Sequence, residues 1–145
     1  MPFKIVEHTA DIGIKITEKT LPQLFETAAY GMFSIFVENI DIIKPNKKFK
    51  IKITGVDPES LLVNWLNELL YLYSVKHAVF SKFDVILSKA KYPGTKFKLS
   101  AAIFGEPVNP DKHQINVEIK SATYHNLHIT RKINNNFSAT IIFDI

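Results

Sequence analysis

Apolar residues recur at intervals of three and four in two segments of the chain, which places them on one face of an α-helix. The first segment predicts a helix over Thr20–Val37. Thr20 and Gln23 form a capping-box pattern at its start, and Pro22 is tolerated in a first helical turn. We expect the apolar face of this helix to pack on the core.

The second segment predicts a helix over Asp57–Ser74. Asp57 is a suitable N-cap, Pro58 takes the first helical position, and Glu59 suits the positive end of the helix dipole. The apolar face is broad and includes Trp65, which we expect to be buried.

The remaining chain alternates apolar and polar residues with period two, which predicts strands. The residues that share one face of each strand, apolar except for Arg131, are Ile12, Ile14 and Ile16; Phe49, Ile51 and Ile53; Phe83, Val85 and Leu87; Phe97, Leu99, Ala101 and Ile103; Ile115, Val117 and Ile119; Leu127, Ile129, Arg131 and Ile133; and Phe137, Ala139, Ile141 and Phe143. Pro93–Gly94 and Asn134–Asn136 are turn signals, and short turns imply antiparallel pairing. Residues 1–145 therefore predict a single α+β domain, with two helices packed on a largely antiparallel or mixed sheet.

Composition excludes several kinds of chemistry. The chain has 145 residues, 46% of them apolar and 22% charged, as in ordinary globular domains. It has no cysteine, which excludes disulfides, thiolate zinc sites and thiol nucleophiles and suits a reducing cytoplasm. Met1–His8 does not resemble a signal peptide, and no apolar stretch approaches the roughly 18 residues of a membrane span. We expect a cytoplasmic protein without a membrane partner.

The positive charge gives a limited indication of nucleic-acid binding. The formal net charge is +4, but Arg131 is the only arginine, and arginine is the residue best suited to read phosphates and bases. Lysines alternate with apolar residues in Phe49–Ile53, as on the solvent face of a strand. Weak electrostatic attraction to an acidic or RNA-bearing partner stays open.

Polar and ionisable residues crowd both ends of the predicted domain. Near the start, Glu7, His8 and Asp11 lie where an alternating strand begins, and Gly13 permits a bulge or a close backbone approach. A loop that satisfies its own amides would explain the same residues. At the end, Asp144 and the terminal carboxylate bring two anions together, and hard oxygen ligands suit calcium, magnesium or manganese.

Other polar sets give weaker indications. Asn64, Asn67 and Glu68 lie on one side of the second predicted helix, as ordinary surface residues do. The remaining histidine and carboxylate candidates lie on or beside adjacent predicted strands and are His113, Glu118, His125 and His128. The last two are three residues apart, which on a strand sends them to opposite faces and does not favour a shared metal. Pairing of His8 with His113 or His125 stays open.

Taken in order, five motifs resemble those of the archease family over essentially the whole chain. They are Glu7–Gly13; Leu24–Phe25 with Ala28–Ala29 and Met32; Leu61–Tyr71; Gly105–Glu106 with His113, Ile119–Lys120 and Thr123–His125; and Phe143–Ile145. The resemblance implies a non-catalytic cofactor that activates a GTP- and manganese-dependent tRNA-splicing RNA ligase. Such a cofactor promotes guanylylation and multiple turnover of the ligase and meets RNA only indirectly. It also implies a divalent-metal site, with calcium first and magnesium or manganese as alternatives, formed by Asp11, Asp144 and the main chain of Ile145.

Three other functions are compatible with the residues. One is a small metal-dependent hydrolase or nuclease that uses Asp11, His8 and His113. Another is a chaperone or RNA-binding module that acts through the lysine-rich strands. The third is a structural subunit without a site. Activity of the isolated protein on RNA, and the salt dependence of RNA binding, distinguish these functions from a ligase cofactor.

Overall fold

A computed structural model of the protein describes residues 3–7, 11–89 and 96–145. In chain order its elements are β1 (Phe3–Glu7), β2 (Asp11–Glu18), α1 (Leu21–Phe36), a 3-10 helix (Ile40–Ile42), β3 (Lys47–Gly55), α2 (Pro58–Lys76), β4 (Ala78–Lys89), β5 (Phe97–Pro107), β6 (Ser121–Thr123), β7 (Thr130–Arg131) and β8 (Phe137–Asp144).

Both predicted helices form, and each begins at its predicted cap. The Thr20 hydroxyl accepts a hydrogen bond from the Gln23 amide at 3.2 Å. The Asp57 carboxylate accepts one from the Ser60 amide at 2.7 Å, and Ser60 returns a capping-box bond. Neither helix is long and apolar enough for a membrane crossing, and the described residues hold no other candidate for one.

The strands form two sheets, all of whose pairings are antiparallel. The five-stranded sheet has the order β1-β2-β8-β6, with the short β7 also paired to β8. The three-stranded sheet has the order β3-β5-β4. The predicted α+β class with two packed helices is confirmed. The expectation of one sheet is wrong, because alternation identifies strands but not which of them share an edge.

Two stretches that alternate in sequence do not form the expected strands. Near Ile115 the described chain makes only an isolated bridge with Val37, just after α1. The Asn116 amide donates to the Phe36 carbonyl, and the Gln114 carbonyl accepts from the Glu38 amide. Of the predicted strand from residue 127 to 133, only Thr130–Arg131 pairs. The turn predicted at Asn134–Asn136 is confirmed, with Asn135 in the left-handed region at φ 66°. The turn predicted at Pro93–Gly94 lies outside the described residues.

The helices join the two sheets into one core. Helix α1 contacts β2 and β4, and α2 contacts β3 and β6, so that each helix touches both sheets. Trp65 is completely buried, as predicted, and its indole Nε1 donates a hydrogen bond to the Phe25 carbonyl at 2.9 Å. This bond connects α2 to α1 inside the core.

Asn67 fixes the outer edge of the five-stranded sheet to α2. Its side-chain oxygen accepts a hydrogen bond from the Ala122 amide at 2.8 Å, and its amide nitrogen donates to the Ala122 carbonyl at 3.3 Å. Ala122 lies in β6, whose other edge pairs with β8. Because Ala122 is buried, both backbone groups need these partners.

We expect Asn67→Ala to lower the free energy of unfolding by about 2 kcal/mol, because it leaves two buried backbone groups without a partner. Asn64→Ala is the matched control: Asn64 is exposed and makes a single bond, to the Thr54 carbonyl at 3.0 Å. Asn64→Ala should lower the free energy of unfolding by less than about 0.5 kcal/mol. Urea denaturation measures both values, and equal losses would contradict the role given to Asn67.

Candidate metal site

The register of the β2–β8 pair places two carboxylates opposite each other. Asp11 and Asp144 are direct partners in the antiparallel ladder. The next pair, Ile12 with Phe143, is buried in the core, so the two aspartates lie on the other face of the sheet. Directly opposed residues have Cβ atoms about 4.5–5.5 Å apart. The two predicted ligand residues are therefore neighbours, although 133 positions separate them in the numbering. That they bind a metal stays a prediction.

Asp11 contains an unusual oxygen. Its Oδ1 atom is buried and has no hydrogen-bond partner among the described residues. A buried carboxylate oxygen without a partner costs about 1–3 kcal/mol or more. This oxygen is therefore suited to accept a donor or a cation.

Asp144 is held by its neighbours in β6. The Ser121 hydroxyl donates to Asp144 Oδ2 at 3.3 Å, and the Lys120 amide donates to the Asp144 main-chain oxygen at 2.8 Å. Ile145 follows directly and is partly exposed. The main chain of Asp144 is thus fixed by backbone pairing on both sides of β8.

The donor set fits a hard divalent cation better than zinc. Within the described ranges, neither Asp11 nor Asp144 forms an ion pair with a basic side chain. Like charges directly opposite on a sheet are destabilising unless something neutralises them. In the same part of the chain, no three histidine or acidic side chains converge as a ligand cluster. Main-chain oxygens, including that of Ile145, and water would have to complete the shell around the two carboxylates.

A cleft of about 570 Å³ adjoins Asp11. It is lined by Asp11, His125, Asn126, Thr140 and Ile142. His125 lies in the turn after β6 rather than on a strand, and Asn126 adopts a left-handed conformation at φ 52°. His125 thus lies beside a strand, which is one of the two placements expected for it. Asn is a common turn residue because it tolerates the left-handed conformation that Asn126 adopts.

Gly13 allows the strands beside the cleft to lie close together. A Cβ atom added at Gly13 would lie 2.8 Å from Ile142 Cδ1 and 3.2 Å from the Ile141 carbonyl oxygen. The predicted close approach is confirmed, whereas the alternative of a bulge is not, because the β2–β8 register runs without a break. His8, Thr9 and Ala10 of the opening motif lie outside the described residues.

His113 belongs to a separate polar cluster near the three-stranded sheet. It is completely buried; its Nε2 lies 2.9 Å from Glu106 Oε2, and its Nδ1 accepts from the Asn109 amide at 2.9 Å. Since Nδ1 accepts, Nε2 carries the proton and donates to Glu106. Both ring nitrogens are thereby occupied. The structure does not bring His113 to Asp11, as the hydrolase interpretation required.

The Glu106 carboxylate accepts hydrogen bonds from three donors. Burial alone would raise the pKa of Glu106, but hydrogen bonds from Lys112 Nζ, the Lys44 amide and His113 lower it to about 2. The cluster ties the loop after β5 to the segment before β3. Nothing in the sequence pattern joined Glu106 to Lys44, because 62 positions separate them.

Comparison with known proteins agrees with this architecture. Residues 3–145 match the model of the Archease protein family (MTH1598/TM1083). The chain is 34% identical over 139 residues to Protein archease of Pyrococcus abyssi and 37% identical over 139 residues to that of Pyrococcus furiosus. Both matches cover 96% of this chain and 95% of the relative. The solution structure of Methanobacterium thermoautotrophicum protein 1598 is similar, with a TM-score of 0.84, 28% identity and 99% of each chain covered.

The molecule is thus an α+β domain of two antiparallel sheets joined by two helices, with a pair of opposed carboxylates at the end of the β2–β8 ladder. The chain belongs to the archease family.

We expect calcium to raise the melting temperature of the wild-type protein, because a ligand that binds only the folded state stabilises it. Asp11→Asn and Asp144→Asn should abolish the rise. In a chelator the same variants should be as stable as wild type or slightly more stable, because they remove repulsion between opposed charges. Asp111→Asn, at an exposed position away from the pair, is the control and should keep the full rise.

A calcium-induced rise that survives in both variants would contradict a shared site at Asp11 and Asp144. So would a variant that loses stability equally with calcium and with chelator, since that result indicates a structural role alone.

The lowered pKa of Glu106 predicts how stability depends on pH. Because the pKa of Glu106 is lower in the folded state than its usual value of 4.5, the ionised carboxylate stabilises the fold at pH values above 4.5. This stabilisation is lost as the pH falls toward about 2. Glu106→Gln should therefore lower the free energy of unfolding at pH 7 by about 2 kcal/mol. The difference from wild type should shrink as the pH falls from 5 to 2. Chemical denaturation from pH 5 to pH 2 measures this difference in the free energy of unfolding. Glu38→Gln, at an exposed position, is the control.

Proposed function

We propose that this protein is an accessory factor that activates a GTP-dependent 3′-phosphate RNA ligase in tRNA splicing. In this role it promotes guanylylation of the ligase and repeated turnover, and it catalyses no reaction by itself. The observation that carries the proposal is the opposed pair of Asp11 and Asp144 at the end of the β2–β8 ladder, beside an open cleft. Membership of the archease family supports the assignment of the partner.

The residues of the site are suited to hold a divalent cation rather than to transfer a proton. Asp11, Asp144 and the main chain of Ile145 would bind it, and calcium, magnesium or manganese suits oxygen donors. When bound, the cation supplies positive charge that can neutralise phosphate oxygens. Backbone pairing holds the main chain of both aspartates in place, so only side-chain rotation is needed to bring their carboxylates to one cation.

A nuclease is the second candidate, because Asp11 and His125 line one cleft. The proposed pairing of Asp11 with His113 loses support, since both nitrogens of His113 are hydrogen-bonded elsewhere. Incubation of the isolated protein with RNA and a divalent metal separates the two functions. We expect intact RNA, and cleavage that Asp11→Asn or His125→Ala abolishes would establish the nuclease instead.

The direct test is a ligation assay with substoichiometric ligase, excess RNA, GTP and manganese. Wild-type protein should convert a single round of ligation into many rounds, because it restores the guanylylated ligase after each round. Asp11→Asn and Asp144→Asn should lose this stimulation by at least tenfold, on the order expected when a metal ligand is removed. Asp111→Asn should stimulate as wild type does.

Each variant must first show the circular dichroism and chelator-state melting temperature of the wild type. If folded Asp11→Asn and Asp144→Asn both stimulate fully, the carboxylates are structural and the metal-based role is wrong. If the wild type stimulates no ligase of this class, the proposed partner is wrong.

A further inference from the structure

The three-stranded sheet has one open face that carries positive charge. In the β3–β5–β4 register this face, called here the basic face, is formed by Lys48, Lys50, Lys52 and Thr54 of β3, Lys98, Ser100, Ala102 and Phe104 of β5, and Lys82, Asp84, Ile86 and Ser88 of β4. Its five lysines and one aspartate give it a net charge of +4, which equals the formal net charge of the whole chain. The positive and negative charges of the remaining residues therefore cancel.

The need to prevent edge strands from pairing with other molecules explains only some of the residues of the basic face. Lysines on edge strands discourage pairing between molecules, which accounts for Lys48, Lys50 and Lys52 on β3. It does not account for Lys98, which lies on the central strand β5. Nor does it explain Phe104 on the same strand, whose ring centroid lies 4.9 Å from Lys82 Nζ and 5.9 Å from Lys48 Nζ.

A shallow trough of about 300 Å³ lies on this face. Small side chains of the central strand, Ser100 and Ala102, line it between Lys50 and Lys52 on one side and Ile86 on the other. Alternate residues of a strand lie about 6.7 Å apart, so β3 presents a regular row of three ammonium groups beside the trough.

The two acidic groups of the trough lie on the β4 side. They are Asp84 and Glu26, and the Glu26 carboxylate accepts a hydrogen bond from the Val85 amide at 2.9 Å. Strand β3 carries lysines and no acidic residue. A bound polyanion should therefore run along β3, away from these carboxylates.

We propose that the basic face binds the backbone of single-stranded RNA without reading its sequence. Regularly spaced lysines neutralise successive phosphates, and an aromatic ring at the end of the row offers a surface on which a base can stack. An acidic protein segment would use the lysines but would gain little from Phe104. The inference goes beyond the proposed function, in which the protein meets RNA only through the ligase. It is tested without a ligase, so the two proposals can fail separately.

The test measures binding of a fluorescent 12-nucleotide oligouridine to the full chain at several salt concentrations. Wild-type affinity should fall as salt rises, with a log–log slope of about −0.7 for each phosphate contact. Lys48→Gln/Lys50→Gln/Lys52→Gln should make the slope shallower by about 2, for three lost contacts, and weaken binding on the order of tenfold at low salt. The control Lys19→Gln/Lys76→Gln/Lys132→Gln removes the same charge from exposed positions off the face and should keep the slope.

Phe104→Leu tests the stacking contact separately. It keeps an apolar side chain but removes the ring, and it should weaken oligouridine binding about fivefold while leaving the salt slope unchanged. Absence of salt-dependent binding by the wild type would overturn the proposal. Equal losses in the two lysine triples would also overturn it, because net charge alone would then explain binding. Polyglutamate that binds as tightly as oligouridine would assign the face to an acidic protein instead.

Discussion

The pairing of β2 with β8 is the constraint on which the candidate site depends. Side chains of a strand alternate between faces, so a slip of one residue would exchange the core face for the outer face. Ile14 and Ile141 are partners in this ladder and are completely buried, which makes such a slip costly. Core packing thereby fixes Asp11 opposite Asp144, although their charges repel each other.

Helix α2 supports the other side of the site. Asn67 bonds both backbone groups of Ala122, and the Glu59 carboxylate accepts a hydrogen bond from the Ile129 amide at 3.0 Å. The turn that carries His125 lies between these two attachments. A polar helix face thus positions the segment that lines the cleft, without touching the proposed metal ligands themselves.

Local patterns were sufficient to predict much of the fold. The caps at Thr20 and Asp57 and the burial of Trp65 were predicted correctly. They depend on residue spacing and on hydrogen bonds between residues that are close in sequence. The division into two sheets did not follow, because alternation does not say which strands meet. The stretch at Ile115 alternates as a strand does, yet its backbone bonds the end of α1.

The site was predicted in part. Hard oxygen ligands near the two ends of the chain, together with a family resemblance, predict Asp11 and Asp144, and the register brings them together. The turn at His125 was not predicted, because it depends on the left-handed conformation of Asn126. The attachment made by Asn67 and the cluster around Glu106 involve partners 55 and 62 positions away, which no local pattern reveals.

The central claim is that Asp11 and Asp144 together hold a divalent cation. Anomalous diffraction from crystals soaked in manganese tests it most directly, because the signal locates the ion independently of any activity. The account predicts one strong peak within about 2.0–2.6 Å of a carboxylate oxygen from each aspartate. A peak at Glu106 or elsewhere, or no peak near the Asp11–Asp144 pair at millimolar manganese, would contradict it.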